Sequence, residues 1–307
     1  MQNQLIFDVI VVGSGPAGIT AAIYLKMANL NVLMIDSNAP GGQVNKISVI
    51  ENYPGFSHIS GADLAYNMFA QTQDLDIPYK YGKVVDIIND GNQKIIKTEK
   101  ESLQCKVVII ATGRKPKELG LPNEKNLIGK GISWCAICDG ALFKNKDVIV
   151  VGGGNSALEE SLYLSNIANK VSIIHRSKEL SCDEIFKDRV LKSPKINIYH
   201  NAEVIKLNVF ENKLESVEIE QLGEKQKVSA SGVFIYIGFE PSIFYAEGLD
   251  LDVHDGYINV DKDMRTNVAG VYACGDVIKK DLYQITTAIS DGSVAATSAI
   301  KYLKEIE

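Results

Sequence analysis

Two stretches of the chain carry continuous runs of β-branched and aliphatic residues, at positions 9–12 and 148–151. Unbroken apolar runs of this kind are typical of strands that are buried on both faces of a sheet. Each run is followed by a glycine-rich turn, a segment with helical periodicity and a second apolar run, at 32–35 and 171–174. The pattern therefore predicts a strand–helix–strand unit twice, with parallel strands in each unit.

These two units are copies of one another in sequence. The segment DVIVVGSGPAGITAAIYL begins at Asp8, and DVIVVGGGNSALEESLYL begins at Asp147. Self-similarity over so long a period usually indicates a duplicated structural unit. We therefore predict an α/β protein with two Rossmann-like dinucleotide-binding domains.

The glycine spacing in each copy has a physical reason. The first glycine permits a tight turn after the strand, the second lets the backbone approach a pyrophosphate, and the third small residue lets the helix pack closely on the strand. The amino terminus of the helix then offers free N–H groups and positive partial charge to the phosphates. The predicted dinucleotide-binding positions are Gly13, Ser14, Gly15, Pro16 and Ala17 in the first copy, and Gly152, Gly154, Asn155, Ser156 and Ala157 in the second.

The second strands of the two copies end differently. The first ends in Asp36, and an acid at this place accepts hydrogen bonds from the ribose of FAD or NAD. The second ends in His175 and Arg176, followed by Lys178, with no acid. A guanidinium can pair with a 2′-phosphate that an acid would repel, so the second copy favours NADPH, with NADH as the alternative.

Turn-rich segments at 114–122 and 238–242 mark two crossings between domains. We therefore predict that the second domain is inserted into the first. Residues 1–113 and 243–307 would form a discontinuous domain that contains the first glycine-rich turn, and residues 114–242 a continuous insert that contains the second. Within the insert, apolar runs predict strands at 196–207, 213–221 and 232–237.

Composition and charge do not alter the predicted fold, but they exclude several classes of protein. The 307 residues carry a net charge of −6, and 46% are hydrophobic and 23% charged. That balance is ordinary for a globular protein and offers no basic face for nucleic acid. The apolar stretch near the amino terminus is interrupted by glycines and has no basic residue before it, so we expect neither a signal peptide nor a membrane anchor. Five cysteines, an odd and low count, argue against a secreted disulfide framework, and we expect a cytoplasmic protein.

Cys135 and Cys138 form the one closely spaced cysteine pair, and Asp139 follows directly. A structural zinc site normally needs four ligands, and the sequence has no second CxxC, so we expect no metal. Two unrelated buried thiols are an alternative. A redox-active disulfide accounts best for the spacing, since CxxC closes a small ring and lowers the pKa of one thiol. Asp139 would then relay a proton to the thiolate that disulfide exchange releases; its alternative role is a turn or helix cap.

Together these motifs resemble the low-molecular-weight thioredoxin reductases over essentially the whole chain. The matching segments are GSGPAG at 13–18, GGQ at 41–43, ENYPG at 51–55, ATG at 111–113, CAICDG at 135–140, GGGNSA at 152–157 and CGD at 274–276. Related flavoproteins share the glycine motifs, but few carry CxxCDG inside the second domain. The resemblance implies FAD in the first domain, NADPH in the second, a homodimer, and thioredoxin as substrate.

The resemblance also implies roles for individual residues. Cys138 is expected to face the flavin, and Cys135 to attack the disulfide of the partner protein. The further positions expected to bind FAD are Gly41, Gly42, Gln43, Asn52, Ala111, Thr112, Gly113, Gly275, Asp276, Gln284 and Ile285.

The chain departs from the family pattern at two places. The family usually has HRRxxxR where this chain has HRSKELS, so Ser177 and Ser181 replace two arginines. The family also tends to have arginine before Gln284, where this chain has Tyr283. The first departure bears on the preference for NADPH, and the second on one contact to FAD or between domains.

Three other functions share parts of the pattern. The flavoprotein reductase of a peroxiredoxin-type system is similar to this family in its carboxy-terminal half but normally has an added redox domain at its amino terminus. A small-molecule dithiol oxidase would use the same disulfide with oxygen as the acceptor. A non-catalytic redox sensor would hold FAD and bind partners, but both cysteines, Asp139 and two glycine-rich turns argue against it.

Overall fold

The computed structural model describes residues 6–47, 49–243 and 246–306. The chain divides into two compact units, one formed by Met1–Lys115 with Glu240–Glu307 and the other by Pro116–Phe239. Within the described ranges, no helix is long and apolar enough to cross a bilayer. Each unit contains its own largely parallel sheet.

The first unit opens with the first copy of the repeat. Its elements are β1 (Ile6–Val12), α1 (Pro16–Met27), β2 (Val32–Asp36), a 3-10 turn (Gly42–Lys46), α2 (Gly61–Asp74), β3 (Tyr79–Tyr81), β4 (Val84–Asp90), β5 (Gln93–Thr98), β6 (Ser102–Ile110) and β7 (Arg114–Pro116). Proline at the first position of α1 suits a helix start, because its missing N–H has no partner there in any case.

The second unit contains the second copy. Its elements are a 3-10 turn (Lys125–Leu127), β8 (Ile132–Ser133), α3 (Ala136–Asp139), a 3-10 turn (Gly140–Phe143), β9 (Asp147–Val151), α4 (Asn155–Ser165), β10 (Lys170–His175), α5 (Glu184–Lys192), β11 (Ile196–His200), β12 (Ala202–Phe210), β13 (Lys213–Gln221), β14 (Glu224–Ser229) and β15 (Gly232–Ile235).

The chain then returns to the first unit. The remaining elements are β16 (Phe239–Pro241), α6 (Ala246–Leu249), β17 (Val253–His254), β18 (Tyr257–Ile258), β19 (Val271–Ala273), a 3-10 turn (Gly275–Val277) and α7 (Ile285–Ile306). Strands β7 and β16, which carry the two crossings, pair with each other.

The sheet of the first unit has the strand order β3-β2-β1-β6-β5-β4, and β19 also pairs with β6. Strands β1, β2, β3, β6 and β19 run parallel, whereas β4 and β5 add an antiparallel hairpin. Val9, Ile10 and Val11 are fully buried, as a strand covered on both faces requires. The carboxyl ends of β1, β6 and β19 therefore meet at one edge of the sheet, where ligands bind in open α/β sheets.

The sheet of the second unit is parallel, with the order β11-β10-β9-β15-β8, and β12, β13 and β14 form a separate antiparallel sheet. The predicted single strand at 196–207 is wrong, since β11 ends at His200 and β12 begins at Ala202. Asn201 between them has φ +52°, a left-handed conformation that asparagine tolerates and that breaks a strand. The predicted α/β class with parallel sheets is confirmed.

Candidate redox-active site

The first glycine-rich turn joins β1 to α1 at the carboxyl end of the sheet. Gly13 has φ +110°, and a Cβ on it would lie 2.3 Å from the carbonyl oxygen of Ala111. A Cβ on Gly18 would lie 2.0 Å from the carbonyl oxygen of Gly13. In contrast, no described residue outside the turn itself places an atom within 4 Å of the Cβ position of Gly15. The turn is thus closed on the protein side and open in front of the helix amino terminus, which suits a bound pyrophosphate.

Asp36 at the end of β2 is tied to this turn. Its Oδ2 accepts hydrogen bonds from the Ser14 backbone N (2.7 Å) and Ser14 Oγ (2.8 Å), and its Oδ1 accepts one from Asn38 N (2.9 Å). Gly41 N in turn donates to the Ser14 carbonyl oxygen (2.7 Å). The acid therefore fixes the turn as well as presenting a carboxylate at the expected ribose position.

Two more predicted FAD positions pair across the first unit. Asn52 Nδ2 donates to Gln284 Oε1 (3.1 Å), and Ile285 begins α7 directly afterwards. The turn after β6 is held by Thr112 Oγ1, which donates to the Ser242 carbonyl oxygen (2.8 Å), and Gly113 there has φ +63°. The structure thus brings together residues that lie far apart in the sequence.

Asp276 lies on the turn after β19 and faces two cations. Arg114 Nη2 and Nε donate to its Oδ2 at 3.0 and 3.2 Å, and Lys280 Nζ lies 3.8 Å from its Oδ1. Lys280 forms its shorter contact with Asp291 Oδ2, at 2.6 Å. A Cβ on Gly275 would lie 2.8 Å from Ala17 Cβ, so this turn packs against the start of α1. Arg114 and Lys280 were not identified from the sequence as site residues.

The second glycine-rich turn repeats the geometry of the first. Gly152 has φ +142°, and its Cβ would lie 2.3 Å from the Tyr236 carbonyl oxygen. Ala157 stands at the place of Gly18, and a Cβ on Gly152 would lie only 3.1 Å from the Ala157 Cβ. Asn155 is engaged by the loop after β10, because its side chain exchanges two hydrogen bonds with Asp183, of 3.0 and 2.7 Å.

His175 is positioned differently from Asp36. Its ring is buried beneath Gly153, where a Cβ would lie 2.3 Å from His175 Nδ1. His175 Nε2 lies 2.8 Å from the Glu179 carbonyl oxygen, and since a carbonyl only accepts, Nε2 carries the proton. Arg176 and Lys178 are exposed on the same loop. The histidine thus shapes the loop, while the two cations face solvent.

The cysteine pair forms a disulfide at the start of α3. Cys135 and Cys138 have their Cα atoms 5.3 Å apart, and Cys138 N donates to Cys135 Sγ at 3.1 Å. Cys135 is buried, whereas Cys138 is exposed. The free thiols Cys105 and Cys274 are buried, and burial raises the pKa of Cys105 to about 12. Cys105 and Cys274 are therefore poor nucleophiles.

Asp139 is held beside the disulfide by Ser133. Ser133 Oγ donates to Asp139 Oδ2 (2.6 Å) and accepts from Cys135 N (3.0 Å). This buried hydroxyl links the carboxylate to the backbone of the first cysteine. Ser133 is not among the predicted site residues, although a hydroxyl two residues before a CxxC pair is a signal that the sequence does carry.

Tyr236 and Glu160 lie close to α3. Tyr236 Oη accepts a hydrogen bond from Ala136 N (2.9 Å), at the first residue of the helix. Burial raises the pKa of Tyr236, and the nearby negative charges of Glu160 and Asp139 act in the same direction. Burial, helped by neighbouring Glu159, raises the pKa of Glu160 to about 7. Glu160 Oε2 is buried and has no hydrogen-bond partner among the described residues.

The part of the chain that the structure describes holds no cluster of three metal-binding side chains.

Comparison with known proteins places these features in a family. Residues 7–292 match the model of the pyridine nucleotide-disulphide oxidoreductases. A thioredoxin reductase of Bacillus subtilis (strain 168) is 40% identical over 309 residues, covering 100% of this chain and 98% of the relative. The crystal structure of Lactococcus lactis thioredoxin reductase in its FR conformation matches with a TM-score of 0.90 and 39% identity, covering 97% of this chain and 99% of that one.

A more distant structure agrees with this result. Thioredoxin reductase from T. acidophilum is 33% identical, with a TM-score of 0.85, and covers 98% of this chain and 99% of its own. The family implies FAD and a pyridine nucleotide as cofactors. The chain therefore belongs to the pyridine nucleotide-disulphide oxidoreductases and, within them, to the family of low-molecular-weight thioredoxin reductases.

Proposed function

We propose that this enzyme passes electrons from NADPH through FAD to the Cys135–Cys138 disulfide and from there to the disulfide of thioredoxin. The observation that carries the proposal is the disulfide itself, placed at the start of α3 beside an acid that Ser133 holds. Two glycine-rich turns, one in each unit, supply the two dinucleotide sites that such a transfer needs.

We assign FAD to the first unit and the nicotinamide nucleotide to the second. FAD supplies the ability to accept an electron pair from the nicotinamide and pass it to a disulfide. The open space before Gly15 and the closed packing behind Gly13 fit a pyrophosphate in the first unit. Asp36 would receive the adenosine ribose, and the remaining FAD contacts are those predicted from the sequence: Gly41, Gly42, Gln43, Asn52, Ala111, Thr112, Gly113, Gly275, Asp276, Gln284 and Ile285.

The second unit is expected to prefer NADPH. No acid stands at the end of β10, and Arg176 and Lys178 are exposed beside it. Arg176 can pair with a 2′-phosphate through charge-assisted hydrogen bonds, and Lys178 adds a second positive charge. His175 contributes indirectly, because its ring fixes the loop through the Glu179 carbonyl.

The cysteines exchange disulfides in balanced steps. Two electrons and two protons open the Cys135–Cys138 bond to two thiols. The Cys135 thiolate attacks one thioredoxin sulfur and releases the other as a thiolate that takes up a proton. Cys138 then attacks Cys135, which frees the second thioredoxin thiol and restores the disulfide. Asp139 would hold and deliver the proton, and buried Cys135 has to become accessible before it attacks.

The homodimer and the cytoplasmic location that the resemblance and composition imply remain predictions. Size-exclusion chromatography with light scattering checks the first, and fractionation of cells checks the second.

The test is a donor–acceptor assay with purified protein. Released flavin should be FAD, and NADPH oxidation should require added thioredoxin and produce thioredoxin thiols. Oxidation that proceeds equally with oxygen alone would identify a dithiol oxidase instead. Turnover only with a peroxiredoxin-system partner would identify the other flavoprotein reductase. If neither NADPH nor NADH reduces the flavin, another donor such as reduced ferredoxin supplies the electrons.

A further inference from the structure

The departure from the family pattern at Tyr283 has a structural counterpart. The Arg114 guanidinium lies over the Tyr283 ring, with Cζ 3.9 Å from the ring centroid. The position where the family tends to carry an arginine is therefore next to an arginine that comes from another part of the chain. Stacking of a guanidinium on an aromatic face is a favourable arrangement that lysine does not reproduce.

Arg114 also orients a carboxylate. Both its Nε and its Nη2 donate to Asp276 Oδ2, which leaves Oδ1 with Lys280 at the longer distance of 3.8 Å. Lys280 is bound more closely by Asp291, whose Oδ2 also accepts from Gly275 N at 3.2 Å. Arg114 is therefore the cation that determines where the Asp276 carboxylate points.

The backbone of Arg114 makes a third contact, with the side chain of Gln43. Its carbonyl oxygen accepts a hydrogen bond from Gln43 Nε2 at 3.3 Å. Arg114 follows the Ala111–Gly113 turn and begins β7. One residue thus contacts Gln43, near the amino terminus, and Asp276 and Tyr283, near the carboxy terminus, and these two separate parts of the sequence meet at the proposed FAD site.

We propose that Arg114 is a positioning residue for FAD. It supplies from the first crossing the guanidinium that the family tends to carry at the position of Tyr283, and it holds Asp276 so that Oδ1 can accept a hydrogen bond from a cofactor hydroxyl. A carboxylate can only accept, so a hydroxyl of the FAD ribityl chain or ribose is the matching donor. The proposal rests on the assignment of FAD to the first unit.

The test measures FAD affinity of apoprotein by titration of flavin fluorescence, without turnover. Arg114→Ala should raise the FAD dissociation constant about tenfold, as expected for the loss of a charged hydrogen-bond partner. The double variant Arg114→Ala/Tyr283→Arg returns the guanidinium to the family's position and should recover affinity to within about threefold of the original protein. Arg114→Lys keeps the charge but not the stacking geometry, so its FAD dissociation constant should lie between those of Arg114→Ala and the double variant.

Lys115→Ala is the matched control. It removes an adjacent, exposed positive charge that pairs with Glu240 at 3.0 Å, and it should leave FAD affinity unchanged. Thermal melting of each apoprotein shows whether the variant is folded.

Unchanged affinity in Arg114→Ala would overturn the proposal. So would equal loss in Arg114→Ala and in the double variant, since the guanidinium would then serve only the fold. If Arg114→Ala does not fold, full affinity in Arg114→Lys together with no loss in Tyr283→Ala would contradict the proposal. Absence of FAD from the original protein is a separate outcome and would reject the cofactor assignment itself.

Discussion

Helices α1 and α4 occupy the same place in the two copies of the repeat, yet they are covered by different elements. Helix α1 is covered by α7, and the contact is so close that a Cβ on Gly292 would lie 2.2 Å from the Ala17 carbonyl oxygen. Helix α4 is contacted instead by the segment after the redox helix α3, where a Cβ on Gly140 would lie 3.3 Å from Leu164 and Tyr163.

Equivalent residues on the two helices differ in keeping with the element that covers each helix. Ala21, in the first copy, is fully buried in an apolar cluster with residues of α7. The equivalent position in the second copy is Glu160, whose carboxyl lies near Tyr236 and has its pKa raised to about 7. The two copies of the unit therefore have different surroundings, and the covering element differs together with the burial and the chemistry of the residue beneath it.

The largest effect is expected when the first glycine of either glycine-rich turn is replaced, and it should differ between the two turns. Gly13→Ala should abolish FAD binding and activity, because a Cβ would meet the Ala111 carbonyl oxygen at 2.3 Å in a left-handed conformation. Gly152→Ala should keep FAD but lose flavin reduction by NADPH, since its Cβ would meet the Tyr236 carbonyl oxygen. Flavin content and anaerobic bleaching report the two results.

Gly91→Ala controls for backbone strain alone, because Gly91 has φ +60° but, among the described residues beyond its chain neighbours, none comes within 4 Å of its Cβ position. It should cost about 1 kcal/mol of stability and leave both cofactor functions intact. Loss of flavin from Gly152→Ala would show that the two copies do not serve separate nucleotides.

The next effect concerns the acid beside the disulfide, which has no counterpart in the first copy. Asp139→Asn should lower turnover with thioredoxin by about 10- to 10⁴-fold, the range for lost general acid catalysis, while NADPH still reduces the flavin. An unchanged rate would reduce Asp139 to a residue that shapes the turn.

Ser133→Ala should lower the same turnover by about tenfold, because the carboxylate loses the hydroxyl that holds it at 2.6 Å. Ser172→Ala, in β10, is the matched control, since both serines are 4% exposed. If both serine variants slow turnover equally, loss of packing rather than loss of the hydrogen bond to Asp139 would be the cause.

Substitution of the cations that follow β10, the second strand of the second copy, should have a smaller effect. Arg176→Ala should lower kcat/KM for NADPH by about tenfold and leave the value for NADH nearly unchanged, as expected when one charged contact to a phosphate is lost. Lys178→Ala should act in the same direction but more weakly. Equal loss with both nucleotides would show that Arg176 does not read the 2′-phosphate.

The smallest effect is a pH dependence of stability. The folded protein keeps Glu160 protonated up to about pH 7, whereas the unfolded chain releases this proton near pH 4.5. Stability should therefore fall as pH rises from 4.5 to 7, and Glu160→Gln should remove that slope. Above pH 7 the variant should be more stable by about 1–2 kcal/mol, a value that allows for solvent screening.

Urea unfolding of Glu160→Gln at several pH values, with exposed Glu159→Gln as the control, measures this difference. Parallel pH profiles for the original protein and Glu160→Gln would mean that Glu160 is ionised in the fold.

The sequence could predict what is local. The glycine turns, the CxxC pair and the ends of β2 and β10 each lie within a few consecutive residues, where spacing alone carries the chemistry. It could not predict contacts that long-range folding creates, such as Arg114 with Asp276 or Tyr236 with Ala136. The break at Asn201 was missed for a related reason, because the flanking runs are apolar on both sides and join two different sheets.

The central claim is that electrons leave the flavin only through the Cys135–Cys138 disulfide. Its most direct test mixes NADPH anaerobically with the original protein, Cys135→Ser and Cys138→Ser, and follows flavin absorbance and thioredoxin thiols together. We predict that the flavin bleaches in all three proteins and that only the original protein reduces one thioredoxin disulfide per NADPH. Thioredoxin thiols formed by either serine variant at the original rate would contradict the account.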